Sequence, residues 1–151
     1  MDGRSFHNLT WVPMFIVGLV ALMLGVVYVT TQDPWLLDKK ANETLLTVNY
    51  NMLFSQSVNQ HLPDYLTLMY RFFGWWLVSI GMLILVYVIV TKMGTPLSRN
   101  CLHFTTMIVL IGIYCIILKF IPETPFLWIT YGLVFLLLVS MYGSIKLTRY
   151  N

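Results

Sequence analysis

His7, His61, His103, Cys101 and Cys115 are the side chains of this chain best suited to hold a metal or a haem. Structural zinc takes four nitrogen or sulfur ligands, usually in closely spaced pairs, and no paired Cys/His spacing of that kind occurs. A haem held between helices takes an axial ligand from each facing helix. His7 and His103 begin the first and third apolar runs at one face, whereas His61 falls on the other. His7 also precedes its run, so the histidines are expected to be polar groups at an interface, with no metal and no cofactor. Cys101 and Cys115 lie in one apolar run, about 21 Å apart at the helical rise of ~1.5 Å per residue. A disulfide requires Cα atoms within roughly 7 Å, so the two cannot pair with each other.

The carboxylates all stand outside the apolar runs. Charge within a span is the usual mark of a transport path, and the central turns of these runs hold no Asp, Glu, Lys, Arg or His. Antiport through a buried carboxylate is therefore disfavoured, and no catalytic residue is assigned. Ser79, Tyr87, Tyr114, Cys115, Tyr131 and Ser140 are the mid-run polar groups, expected to bond between helices. Arg71 is the charge whose place most suggests a ligand. It follows Asp64 by seven residues, near the same helix face, with Trp75 one turn further on. A guanidinium there can take a lipid phosphate, an anionic ligand or a quinone-type head group; the plainer role is a snorkelling anchor paired with Asp64 or Glu123. Lys119 and Glu123 are expected to form an outer-rim pair.

These residues need helices to position them, and the composition says where the helices lie. The chain is 58% hydrophobic and 10% charged, against about 25% charged residues in a soluble domain, so it reads as integral membrane. A hydrocarbon core about 30 Å thick needs ~20 apolar residues as helix. Four runs meet this, over about 9–31, 70–91, 101–119 and 125–146, with one longer outer loop at 32–69. The ~10-residue alternation of barrel strands is absent. The expected fold is all-α: one domain over 1–151, an integral membrane four-helix bundle. The first run exceeds a signal-peptide core of ~7–15 residues, and VYVTTQD offers no small-x-small cleavage site.

Placing both termini in the cytoplasm puts Arg4, Lys92, Arg99, Lys146 and Arg149 inside with Asp2 as the only acid. The net charge of +3 then reflects helix ends, and nothing in the sequence points to nucleic acid. Gly94 and Pro96 are expected to break the chain between spans two and three, and Pro122 with Pro125 to bracket the next turn. Trp11, Trp35, Trp75, Trp76 and Trp128 fall near span ends, the headgroup level that amphipathic rings favour. The outer loop holds enough apolar residues for a surface-lying helix ended by Pro63, with Asp64 capping a helix that begins at Tyr65. Asn42-Glu43-Thr44 in that loop is a glycosylation sequon. Small residues let helices approach closely in lipid. Gly18, Ala21 and Gly25 are expected to do so for span one, Gly74 and Gly81 for span two, Gly112 for span three, and Gly132 and Gly143 for span four.

The stretch LTLMYRFFGWWLVSIGMLIL, followed by a short basic turn and two further spans, resembles the DoxX-like group of small four-helix membrane proteins. That group commonly opens its second helix with an arginine followed three residues later by glycine, here Arg71 and Gly74. The likeness covers roughly residues 60–145 and implies a fold more than an activity. The function expected is a non-enzymatic accessory or interaction subunit of a membrane assembly. Its partners would be the lipid bilayer and other membrane proteins or further copies of itself, in a plasma or inner membrane. A lipid or small-molecule binder or transporter opening near Arg71 and a quinone-linked redox subunit are the alternatives.

Overall fold

The computed structural model describes residues 2–149, and every regular element among them is helical. Helix α1 (Gly3–Thr30) leads through a 3-10 turn (Pro34–Asp38) into α2 (Lys39–Leu46) and α3 (Tyr50–Ser55). A second 3-10 turn (Ser57–Asn59) then precedes α4 (Leu62–Thr91), α5 (Pro96–Phe120) and α6 (Phe126–Thr148). Helices α1, α4, α5 and α6 are each long and apolar enough to cross a membrane. Helices α1 and α5 begin earlier than hydropathy alone suggests because polar caps lie ahead of their apolar runs. Asp2 caps α1, accepting from the Ser5 amide at 3.0 Å and the Ser5 hydroxyl at 2.7 Å. Thr95 caps α5 through the Ser98 amide at 3.2 Å, with Pro96 in the first turn. At α4 the expectation is corrected: Pro63 does not end a preceding element but sits in the first turn of α4, and Asp64 lies inside that turn rather than capping it.

Helix α1 is the hub. It packs antiparallel along α4 and also against α6, while α5 leans on α6. Two pairs of glycines hold α1 to α4. A Cβ on Gly81 would lie 2.5 Å from the Leu22 amide nitrogen and 2.8 Å from the Gly18 carbonyl oxygen. A Cβ on Gly25 would lie 2.5 Å from the Val78 nitrogen and 2.6 Å from the Gly74 oxygen. Gly18 thus faces Gly81 and Gly25 faces Gly74, so equal seven-residue spacings on antiparallel helices bring backbone onto backbone. Gly143 does the same for α6, a Cβ there meeting the Leu9 carbonyl carbon at 2.8 Å. Gly112 and Gly132, expected to pack likewise, face open space within this chain. Met14, Val17, Val88, Met93, Leu102, Leu110 and Leu137 form the apolar core that these approaches enclose.

The turn between α4 and α5 is built unexpectedly. Lys92 and Met93, not Gly94, take the left-handed conformation, with φ of 48° and 50°. Such residues cost roughly 1–2 kcal/mol each in that region. The Met93 amide donates to the Thr91 hydroxyl at 3.1 Å, and its side chain is fully buried in the core. The segment before α4 is two short helices and two 3-10 turns folded over the end of the bundle. Trp35, expected at an interface, is buried there between Tyr50 and Phe54, at centroid distances of 4.8 and 5.2 Å.

Candidate functional site

The interior carries polar side chains at both ends of the bundle, and these are where chemistry would have to reside. At the end away from the termini the centre is Asp38. One carboxylate oxygen accepts from the Thr124 hydroxyl at 2.5 Å and the other from the Tyr28 phenol at 3.1 Å. All three residues are buried. Asp38 ends the first 3-10 turn, Tyr28 stands on the last turn of α1, and Thr124 lies in the α5–α6 turn, so one side chain joins three parts of the chain. The Tyr28 ring stacks on Tyr70 at 5.8 Å and on Phe126 at 5.5 Å, with Phe73 edge-on at 5.4 Å. Around this box, Asn42 donates to the Tyr70 hydroxyl at 2.6 Å, Glu43 accepts from the Tyr50 amide at 2.9 Å, and Lys40 pairs with Glu123 at 3.1 Å. Burial pushes the Tyr50 phenol up to about 12, with the neighbouring Tyr70 adding to the effect.

At the other end, α5 turns two polar side chains inward. Arg99 is 1% exposed; it donates from Nη1 to the Gly94 carbonyl at 3.3 Å and from Nη2 to the Thr148 hydroxyl at 3.1 Å. Among the described residues no carboxylate forms a salt bridge with it, and its Nε has no hydrogen-bond partner. Thr148 is the last residue of α6, so the guanidinium sits where a helix C-terminus favours positive charge. One turn on, His103 Nε2 lies 2.7 Å from the Ser140 hydroxyl, which donates to the Thr10 carbonyl at 2.5 Å. Ser140 gives its single proton to the Thr10 carbonyl, so His103 Nε2 carries the proton that the Ser140 oxygen accepts. This chain crosses from α5 through α6 to α1.

Arg71, Asp64 and Trp75 are exposed on α4, and Arg71 forms no salt bridge among the described residues. Glu123 pairs with Lys40 instead of Lys119, whose ammonium lies 5.2 Å from the centre of the Phe120 ring. His7 lines a shallow recess with Arg4, Asn8 and Leu147, while His103 is turned to Ser140. Cys101 and Cys115 are free and exposed. Asn42 lies within α2 with its amide nitrogen bonded to Tyr70. Of the mid-run polar groups, Ser140 bonds between helices and Tyr87 bonds from α4 to the Ser98 carbonyl of α5, whereas Ser79 bonds back to Trp75 of its own helix. Asp38, Thr124, Thr10 and the burial of Arg99 were not marked by the sequence. The only available signal was Arg99 standing next to an apolar run, which is equally typical of a surface anchor, while Asp38 falls within the outer loop.

No protein-family model, curated protein or solved structure matches the chain. Chemically, Asp38 is a carboxylate already holding two hydroxyl donors, and His103 is one link in a hydrogen-bond chain. Both arrangements fasten elements together, and each buried bond to a charged group is worth about 1.5–3 kcal/mol.

Proposed function

We propose that this chain is a multi-pass membrane protein acting as a non-enzymatic accessory subunit of a larger membrane assembly. The observation that carries this reading is the use made of the buried polar groups. Asp38, Arg99, His103 and Ser140 each bind another part of the same chain, which makes them ties for a rigid scaffold. The four long helices meanwhile present large apolar side chains outward, among them Leu83, Val90, Phe104, Ile108, Phe135 and Leu138. A water-facing surface of that kind would aggregate, whereas lipid accepts it. The likeness to the DoxX-like group supports the same four-span arrangement. Both termini are assigned to the cytoplasm, because the end that carries them holds Arg4, Lys92, Arg99, Lys146 and Arg149.

The test is native mass measurement after extraction in a mild detergent, with a membrane-impermeant label applied to intact cells. The expected result is a species heavier than one chain, with a tag at either terminus shielded from the label. An isolated monomer refutes the subunit reading, and a labelled terminal tag refutes the orientation.

A further inference from the structure

Helix α4 buries one side against α1, through Gly74, Gly81, Leu85 and Val88. Its far side carries Tyr65, Leu68, Arg71, Phe72, Trp75 and Trp76. These follow the three- and four-residue steps of one helix face. The five apolar members are each more than half exposed, and Arg71 is exposed as well. Exposed apolar side chains within a bilayer are satisfied by lipid, so their depth decides what they mean. From Lys92, just past the end of α4, back to Arg71 is about 31 Å of helix at ~1.5 Å per residue, the thickness of a hydrocarbon core. On α5 the step from Arg99 to Lys119 is about 30 Å by the same measure. Counted from Lys92, Arg71 falls where a hydrocarbon core of that thickness ends. Leu68 and Tyr65 lie roughly 5 and 9 Å further out, across a headgroup layer about 5–7 Å deep. The apolar face does not stop where the hydrocarbon stops.

The composition of the face is that of a docking surface. Tryptophan, tyrosine and arginine are the residues most often found to carry binding energy at interfaces. Its one cation forms no salt bridge among the described residues, since Asp64 makes none with it and Glu123 is taken by Lys40. An unpaired guanidinium set among exposed aromatics at the membrane boundary complements a carboxylate. We infer that this face of α4 docks a transmembrane helix of a different protein. That helix is apolar along the contact, continues two turns past the outer boundary, and carries an Asp or Glu level with Arg71. The inference rests on the accessory-subunit reading and names the surface and the kind of partner that reading requires.

The experiment places a photo-crosslinking amino acid singly at Leu68, Trp75 or, as a control on the outward face of α5, Ile108, in the full chain in its native membrane. Crosslinked peptides are then mapped by mass spectrometry. Leu68 and Trp75 are expected to give peptides from one transmembrane helix of a second protein, and Ile108 to give none from it. Arg71→Glu should cut that yield at least tenfold, Arg71→Lys should keep most of it, and Arg71→Glu should be rescued by changing the mapped partner carboxylate to lysine. Adducts with lipid alone, with a second copy of this chain, or with the same yield in Arg71→Glu overturn the proposal. A heavy native complex combined with lipid-only adducts removes this surface and leaves the accessory reading standing. A monomer removes both.

Discussion

Substituting Gly81 by alanine adds one methyl group where there is no space for it. The new carbon would sit 2.5 Å from the Leu22 nitrogen and 2.8 Å from both the Leu22 Cα and the Gly18 oxygen. All three are backbone atoms of α1, so no rotamer change relieves the contact. Ordinary contact distance is about 3.5–4.0 Å, so α1 and α4 must separate by roughly 1 Å along this stretch. Overpacking of this kind costs about 1–3 kcal/mol, and separation also weakens the facing Gly25–Gly74 contact. At roughly 2–4 °C of melting temperature per kcal/mol for a chain of this size, Gly81→Ala should melt about 2–12 °C lower. The comparison is Gly112→Ala, where a Cβ meets nothing within 4 Å. It should melt at or slightly above the parent temperature, since alanine favours helix over glycine by about 1 kcal/mol. Gly18→Ala falls between, because its nearest atoms, on Ile84 and Leu85 at 3.0 Å, belong to side chains that can rotate. Thermal unfolding followed by circular dichroism in one detergent orders the three variants. Equal melting of Gly81→Ala and Gly112→Ala would show that α1 and α4 do not meet at these glycines.

Asp38→Ala leaves the Tyr28 and Thr124 hydroxyls buried without their acceptor and should cost about 2–4 kcal/mol. Lys40→Ala, which breaks an ion pair whose lysine side chain is 83% exposed, should cost under about 1 kcal/mol, and chemical unfolding of the two variants compares them directly. Alkaline pH should act through Tyr50. Its folded-state value of about 12 exceeds the ordinary phenol value of 10, so folded and unfolded chains are protonated alike below pH 10. Between pH 10 and 12 only the unfolded chain gives up this proton, so stability falls as the pH rises through that window. Tyr50→Phe should flatten that part of the stability–pH curve, and an unchanged curve would place the loss elsewhere.

The helices could be read from the chain because their signal is local and repeated: runs of apolar residues between charges, with Asp2 and Thr95 extending two of them. The α1–α4 contact was half legible. The seven-residue spacings in 18/25 and 74/81 were visible, but their facing each other depends on which helices are neighbours. That is also why Gly112 and Gly132 looked the same in sequence and differ in the fold. The ties at the two ends were hidden for a different reason. Asp38 meets Thr124 across 86 positions and Ser140 meets Thr10 across 130, and no local pattern records such a pairing. Arg99 looked like an ordinary inner-rim cation, since its burial depends on the last turn of α6 folding over it.

The central place of α1 has a consequence for how the molecule is made. Chains are synthesised from the N-terminus, so α1 is finished long before either helix it packs against. Its principal partner, α4, begins at Leu62, and α6, which fits beside Leu9 and Thr10, begins at Phe126. Until then the notches at Gly18 and Gly25 have nothing from this chain to fill them. The newly made first helix must therefore wait, held by its surroundings, and the final arrangement can lock only when the last helix has been delivered. Loss of α6 from a nascent chain would leave His103 and the Thr10 carbonyl without Ser140 and Arg99 with the Gly94 carbonyl alone, three buried polar groups that mark an unfinished molecule.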